Sequence, residues 1–184
     1  MPCGQSELVL VPSMITLLRH LVAIALLPFT VAVLVPVWIA RRYGTALLPG
    51  ASVASLALQV FALALLAIGV ALFVSSLRRF QTEGEGTLAP WDPPRRLVVR
   101  GPYRYVRNPM ISGVIFVLFG EALLLLSIPH AIWAALFLGI NLVYIPLVEE
   151  PQLHRRFGDA YADYCRHVPR IVPRLRPFVP GPRS

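Results

Sequence analysis

The sequence has little charge and no lysine. Only 14% of its 184 residues are charged, and all 17 of its basic residues are arginine. Soluble domains of this size carry charge on about a quarter of their residues, so this chain has too few polar side chains to cover a folded surface in water. The hydrophobic fraction of 57% points the same way. The composition therefore excludes an ordinary soluble domain and predicts an integral membrane protein.

Cysteine clusters, metal-ligand spacings and targeting signals are also missing. Cys3 and Cys165 lie near opposite ends of the chain and form neither a disulfide framework nor a ligand pair. His154 and His167 have no partner at the spacing of a zinc site, so no metal site is predicted. The sequence contains no nucleic-acid motif, and its first seven residues, MPCGQSE, lack the basic region of a signal peptide. We therefore expect the first apolar segment to stay in the mature protein.

Long uncharged runs predict about four transmembrane helices, at residues 17–40, 52–77, 110–127 and 130–148. A helix needs roughly 20 apolar residues to cross a hydrocarbon core. The last two predicted helices come from one apolar block that Pro129 divides, because proline removes a backbone donor and disfavours helix at the preceding residue. The sequence thus predicts a single all-α membrane domain over residues 1–184, with a helical hairpin in its C-terminal half.

Two polar segments, residues 78–109 and 149–184, each carry seven arginines. The positive-inside rule places both in the cytoplasm and predicts a multi-pass protein whose N-terminus is also inside. The first segment is rich in glycine and proline, with a short strand expected at residues 97–99. The second begins with an amphipathic helix that lies at the membrane interface or over the loop. Its apolar stripe consists of Leu153, Phe157, Tyr161, Tyr164 and Val168.

A pair of glutamates, Glu149 and Glu150, ends the fourth predicted helix, and the arginine-rich stretch GPYRYVRNP precedes the third. The hairpin brings the two together, and Asn108 and Pro109 suit the N-cap and first position of the third helix. Two explanations fit this pattern. The glutamates either end the helix and pair with arginine for topology, or they form a site for a zwitterionic ligand. In the second case the carboxylates would bind an ammonium or ribose hydroxyls, and the arginines and helix N-terminus a carboxylate.

Other polar residues allow two interpretations each. Glu121 lies within the third predicted helix, where an ionisable group is energetically expensive and suggests a function. It also fits a protonated or hydrogen-bonded carboxyl packed against Asn141 or Gln59. Tyr103 and Tyr105 either line a ligand pocket or serve as aromatic anchors at the membrane interface.

Three features of the C-terminal half occur in a characteristic order: RRLVVRGPYRYVRNPMISG, the paired glutamates after a hairpin, and LHRRFGDAYADYCRHVPR. Together, over residues 86–173, they resemble the isoprenylcysteine carboxyl methyltransferase and phospholipid N-methyltransferase group of membrane enzymes. The resemblance implies that the cytoplasmic loop and the tail helix form a pocket for S-adenosylmethionine, open toward the bilayer for a lipid-like substrate. It assigns cofactor contacts to Leu97, Val98, Tyr103, Asn108, Pro109, Glu149 and Glu150.

The chain departs from the family pattern at several positions. The family commonly has histidine where Asn108 stands and tyrosine where Ile111 stands. Asparagine still donates and accepts hydrogen bonds, whereas isoleucine cannot replace a hydroxyl, which puts one cofactor contact in doubt. The prenylcysteine enzymes place an arginine one turn before the paired glutamates, where this chain has Ile145 and Pro146. A prenylcysteine substrate is therefore not supported.

The resemblance implies methyl transfer to a small lipophilic or lipid-like acceptor, either a carboxylate or an amine. Transfer from a sulfonium is a direct displacement that requires neither a covalent nucleophile nor a metal. Two alternatives stay open: an NADPH-dependent membrane reductase with a related arginine- and tyrosine-rich motif, and a non-catalytic membrane scaffold of the same fold. The expected partners are the lipophilic substrate and membrane lipids, and not nucleic acid.

Overall fold

Every regular element in the part of the chain that the structure describes is helical, which confirms the predicted all-α fold. The structure, a computed structural model, describes residues 25–45, 52–83 and 97–179. A π-helical segment, Ala25–Leu34, continues into α1 (Val35–Tyr43), and α2 (Val53–Glu83), α3 (Pro109–Leu124) and α4 (Ile128–Tyr144) follow. A second π-helical segment, Ile145–Glu149, joins α4 to α5 (Glu150–Phe157), and α6 (Asp159–His167) is the last helix described.

Two of these helices are long and apolar enough to cross a membrane, Val53–Arg79 and Ile128–Phe157. Both expose large apolar side chains, with Val53 87% and Leu147 71% accessible. Such surfaces suit a hydrocarbon solvent, because exposing them to water would oppose folding. The apolar helix α3 has 16 residues and is shorter than a typical span. Part of the first predicted span lies outside the described residues, so the count of four remains a prediction.

The helix that begins at Ile128 changes its surface after Val148, the last residue before a charge. Residues 128–148 extend over about 31 Å at 1.5 Å per residue, which matches a hydrocarbon core, and we take them as the membrane-spanning part. The same helix then continues as the charged helix α5. It ends at Gly158, whose φ of 55° turns the chain before α6. The predicted tail helix is therefore two helices, because a glycine in the left-handed region interrupts it.

Residues 125–127 connect α3 to α4, with Leu126 at a φ of 43°. Pro129 lies in the first turn of α4, where its missing N–H removes no helical hydrogen bond. The break predicted at Pro129 therefore occurs just before it. Ile145, one turn before the end of the span, packs in one cluster with Ile115 and with Ile111 on the first turn of α3. The chain thus folds back, and the end of the span lies beside the start of α3.

Small residues allow α2 and α3 to pack closely. A Cβ on Gly113 would lie 2.7 Å from the Gly69 carbonyl oxygen, and a Cβ on Gly69 would lie equally close to the Gly113 oxygen at 2.7 Å. About two turns further along α3, a Cβ on Gly120 would lie 3.0 Å from the Ala62 carbonyl oxygen. Such contacts are typical of membrane helices, where close backbone approach replaces the hydrophobic effect between helices. This packing fixes α3, whose first turn borders the candidate site.

Candidate active site

The loop before α3 is built on a tight 3-10 turn, Gly101–Arg104. Gly101 has a φ of 56°, a conformation that favours glycine, and a Cβ there would lie 3.2 Å from the Arg79 Nε. The Tyr105 amide donates back to the Pro102 carbonyl at 3.0 Å. The loop is therefore folded against the end of α2.

The strand predicted at residues 97–99 is not formed. These residues have no regular secondary structure, because the described part of the chain contains no strand to pair with them. They pack through side chains instead. Leu97 and Val99 contact a cluster formed by the buried residues Tyr161, Tyr164 and Val168.

That cluster contains the apolar stripe predicted for the tail. Its other members include Leu153, Phe157, Cys165 and Phe178. The stripe therefore covers the loop through Leu97 and Val99, one of the two positions that the amphipathic pattern allowed. One polar contact reinforces it, because the Tyr164 hydroxyl donates to the Tyr103 carbonyl at 2.6 Å.

The segment after α6 runs back along the loop and is tied to it by backbone hydrogen bonds. Amides donate in both directions between the two segments, as in a short irregular ladder. The bonds join Arg107 N to Pro169 O (2.8 Å), Asn108 N to Arg170 O (3.2 Å), Arg174 N to Tyr105 O (3.0 Å) and Phe178 N to Arg104 O (2.8 Å). Residues 169–178 therefore form a cover over the loop, which we call the tail cover.

The tail cover is also fixed to the helices below it. The Ser112 hydroxyl, on the first turn of α3, donates to the Ile171 carbonyl at 2.6 Å. The Ile171 side chain is buried with Ile115 and Ile145. A buried carbonyl that receives a hydrogen bond avoids a substantial desolvation penalty, so this contact stabilises the cover at the end of the span.

Glu150 is bound by two arginines. Arg170 of the tail cover donates from Nε to Oε1 at 2.7 Å and from Nη2 to Oε2 at 2.9 Å. Arg107 of the loop approaches the same Oε1 with its Nη1 at 2.9 Å. Burial alone would raise the pKa of Glu150, but the hydrogen bond from Arg170 and the charge of Arg107 hold it below its ordinary value. The group therefore carries its charge in the folded protein.

Arg107 lies at the centre of this network. Its Nη1 also donates to the Cys165 sulfur at 2.6 Å, which links the loop to α6. Its Nε is buried and has no hydrogen-bond partner within the described residues. A buried donor without a partner is unfavourable, and because this atom is shielded by the protein it is not directly accessible to a ligand.

Glu149 lies in a different environment from its neighbour. Within the part of the chain described, it forms no ion pair. Burial raises its pKa to about 7, the charge of Glu150 adds to the rise, and Arg107 opposes it. The pKa of Tyr103 is raised mainly by burial and further by the charge of Glu149, so the two side chains are close enough to interact electrostatically. Glu149 is thus a partly buried carboxyl without an ion-pair partner among the described residues.

The remaining residues assigned by the resemblance lie around the start of α3 or in the cluster above it. Asn108 is the N-cap residue and Pro109 the buried first residue of the helix, in the predicted positions. The Asn108 side chain makes no capping hydrogen bond, contrary to its predicted capping role, because its φ and ψ of −118° and 64° differ from the usual cap geometry. Leu97 belongs to the aromatic cluster, and Val98 is buried.

Ile111 has a packing role, and Glu121 lacks the partner that the sequence suggested. Ile111 packs against the buried cluster of Ile115, Ile145 and Ile171, so its side chain fills the apolar core. Asn141 donates to the Phe137 carbonyl at 2.8 Å. The Oε2 atom of Glu121 is buried without a hydrogen-bond partner among the described residues, so the suggested pairing with Asn141 does not form.

Arg107 and Arg170 contact Glu150, but the sequence pattern did not single them out. The hairpin pattern predicted both glutamates near several arginines of the loop, and in the structure Glu150 contacts one of them, Arg107, together with Arg170 of the tail. Arg170 ends the VPR motif, and that motif was the one available signal for its importance. Arg170 reaches Glu150 because the chain turns back after α6. No periodic pattern in the sequence predicts that turn.

The site as a whole combines both signs of charge at one end of the hairpin. The unpaired Glu149 and the nearby Tyr103 offer an acceptor and a hydroxyl. The uncapped N-terminus of α3 and the Asn108 side chain offer donors. Such a set can bind a zwitterionic ligand that also carries hydroxyl groups.

A comparison with protein families matches residues 57–160 to the model described as phospholipid methyltransferase. The matched region begins in α2 and includes the loop, the hairpin, both glutamates and the start of α6. Neither a curated protein nor a solved structure gives a significant match.

Proposed function

The chain belongs to the phospholipid methyltransferase family and is a membrane methyltransferase, and we propose that its methyl donor is S-adenosylmethionine. The observation that carries this proposal is Glu149, a partly buried carboxyl that forms no ion pair within the described residues. It lies one turn after Ile145, which packs in one cluster with Ile111 of the first turn of α3. When bound, the cofactor supplies an electrophilic methyl group on a sulfonium. It also carries an ammonium, a carboxylate and ribose hydroxyls, which are the groups that this site is equipped to bind.

The residues of the chain have distinct parts in binding. Glu149 accepts from the ammonium or the ribose hydroxyls, and Asn108 with the N-terminus of α3 binds the carboxylate. Leu97, Val98, Tyr103 and Pro109 form the apolar and aromatic walls of the pocket. Glu150 completes the set of cofactor-binding residues that the resemblance assigned.

The proposed acceptor is a small lipophilic or lipid-like molecule with a carboxylate or an amine. The span exposes apolar side chains up to the site, since Tyr144, Leu147 and Val148 are all exposed just before Glu149. A lipid-like acceptor in the bilayer would thus reach the pocket from the side. Ile145 is fully buried and leaves no arginine at the position used by the prenylcysteine enzymes, which argues against that substrate class.

Direct displacement requires the protein to align two reactants and to exclude water. The tail cover, held by Ser112 and by backbone bonds to the loop, is positioned to exclude water from the cytoplasmic side. An amine acceptor must lose its proton before transfer. We assign no base, because cofactor binding already accounts for Glu149.

The proposed arrangement in the membrane has four spans, with the site on the cytoplasmic side. The seven arginines in each of residues 78–109 and 149–184 support this orientation. Family membership favours methyl transfer over the NADPH-dependent reductase. A non-catalytic scaffold gains no support from Ile111, because that side chain has a packing role in the core.

Calorimetric titration of detergent-purified protein with S-adenosylmethionine tests the proposal. We expect saturable binding to the wild type, strong weakening in Glu149→Gln, and unchanged binding in Asp163→Asn. Asp163 is a matched control, because it is an exposed acidic residue of α6 paired with Arg166 at 3.6 Å. Absence of binding to folded wild-type protein would overturn the assignment of the cofactor. Transfer of a labelled methyl group into a lipid extract would then identify the acceptor class.

A further inference from the structure

We propose that the two adjacent glutamates have separate roles: Glu150 is a positioning residue that locks the tail cover onto the loop, and Glu149 alone gives its carboxylate to the ligand. The identity of the ligand rests on the proposed function, whereas the locking role of Glu150 does not. The resemblance assigned both residues to the cofactor. The contacts of Glu150 with Arg107 and Arg170 indicate that the two glutamates have different roles.

The acceptor capacity of Glu150 is largely used within the protein. A carboxylate has about four lone-pair positions. Arg170 occupies one on Oε1 at 2.7 Å and one on Oε2 at 2.9 Å, and the charged Nη1 of Arg107 lies 2.9 Å from the same Oε1. Two parallel bonds from one guanidinium are among the strongest ionic contacts in proteins. Little capacity is left for a ligand.

The position of the two arginines explains what this contact does. Arg107 belongs to the loop and Arg170 to the tail cover, so Glu150 joins the two segments through α5. The side chains of Arg107 and Glu150 are only 11% and 18% accessible. A shielded ion pair loses much more when one partner is removed than a pair on the surface does. Breaking it should therefore release the tail cover.

Glu149 lacks such compensation. Consecutive helical residues point about 100° apart, so Glu149 and Glu150 face different neighbours. A partly buried carboxyl without an ionic partner is unfavourable until a ligand supplies the opposite charge.

Amide hydrogen exchange of the ligand-free protein tests the locking role. In Glu150→Gln and in Arg170→Gln, we expect the amides of Arg107, Asn108 and Arg174 to exchange about tenfold faster or more, since these amides bond across the loop and the tail cover. The double variant should exchange no faster than Glu150→Gln alone, because that substitution already removes the charged contact with Arg170. Glu149→Gln should leave the exchange unchanged. If the glutamine variants do not fold, Arg170→Lys keeps the charge without the two-bond geometry and should give a smaller increase.

The pH dependence of affinity for S-adenosylmethionine tests the ligand role. The groups that act on Glu149 are Glu150 on α5 and Tyr103 and Arg107 on the loop. A cationic ligand prefers the ionised carboxylate, so wild-type affinity should increase as the pH rises through about 7. Glu150→Gln and Arg170→Gln should weaken binding but keep this dependence. Glu149→Gln should weaken binding and lose it.

Each result has a defined meaning. Unchanged exchange in both Glu150→Gln and Arg170→Gln would overturn the locking role. Loss of the pH dependence in Glu150→Gln, with its retention in Glu149→Gln, would exchange the two roles and also overturn the proposal. Failure of folded wild-type protein to bind the cofactor would overturn the proposed function and the ligand role of Glu149. The exchange measurement would still decide the role of Glu150 independently.

Discussion

The Tyr164 hydroxyl donates a 2.6 Å hydrogen bond to the backbone carbonyl of Tyr103, which holds α6 directly on the turn of the loop. Tyr103 is one of the residues proposed to line the pocket. We expect Tyr164→Phe to lower the free energy of unfolding by about 1–3 kcal/mol, because it leaves a shielded carbonyl without its donor. Thermal unfolding in detergent measures this effect, and cofactor titration should show weaker binding.

Tyr43→Phe is the matched control, since Tyr43 at the end of α1 is 61% accessible. Tyr43→Phe removes the same hydroxyl oxygen without breaking a shielded hydrogen bond, so the unfolding midpoint should not change. Equal effects of the two substitutions would contradict a specific role for the hydrogen bond between α6 and the loop.

The close approach of α2 and α3 predicts that Gly113 does not tolerate a side chain. In Gly113→Ala the new Cβ would lie 2.7 Å from the Gly69 carbonyl, and both are backbone-bound groups that move only with their helices. We expect a loss of about 1–3 kcal/mol, as for overpacked cores, measured by thermal unfolding. Gly139→Ala in α4 is the control, because its Cβ would have no neighbour within 4 Å. A neutral Gly113→Ala would show that the helices separate easily.

The sequence predicted the elements that are determined by local composition and short motifs. Uncharged runs identified α2 and the span of α4, and Asn108 with Pro109 correctly marked the start of α3. The proximity of the glutamates to the arginine-rich loop also followed, since the two ends of a hairpin must be neighbours. These features depend on composition and on one connection, which a single sequence displays directly.

The details of the site depend on helical phase and on long-range packing, which the sequence does not display. Whether Glu149 or Glu150 faces the arginines is decided by the π-helical segment Ile145–Glu149, which changes the phase of the helix before both residues. The pairing of Arg170 with Glu150 requires the path of the tail cover over residues 104–108. That path is fixed by backbone hydrogen bonds, which any residue other than proline can donate.

A hydrogen bond between helices predicts the effect of changing Trp133. Its indole Nε1 donates to the Val31 carbonyl at 3.0 Å. In a π-helix that carbonyl would bond to the residue five positions on, which is Pro36 and has no N–H. Trp133→Phe should therefore lower the free energy of unfolding by about 0.5–1.5 kcal/mol. Trp38→Phe, at an exposed position of α1, should change it much less, and thermal unfolding of both variants checks this.

The raised pKa of Glu149 predicts a pH-dependent effect of Glu149→Gln on stability. The carboxyl titrates near its ordinary value of 4.5 in the unfolded chain and at about 7 in the folded protein. The folded state thus binds this proton more tightly, so the contribution of Glu149 to stability is greatest below pH 4.5 and is lost as the pH rises through about 7. Glutamine is neutral at every pH and avoids this loss.

The difference in unfolding midpoint between Glu149→Gln and wild type should therefore be near zero below pH 4.5 and positive above 7. A change of 1 kcal/mol corresponds to roughly 2–4 °C for a chain of this size. Thermal unfolding in detergent over this pH range measures the difference. If Glu149→Gln stabilises the ligand-free protein but weakens cofactor binding, the carboxyl of Glu149 is retained for the ligand and not for stability. Destabilisation by Glu149→Gln above pH 7 would instead show that the carboxylate has a partner in the folded protein, and the ligand role would lose its basis.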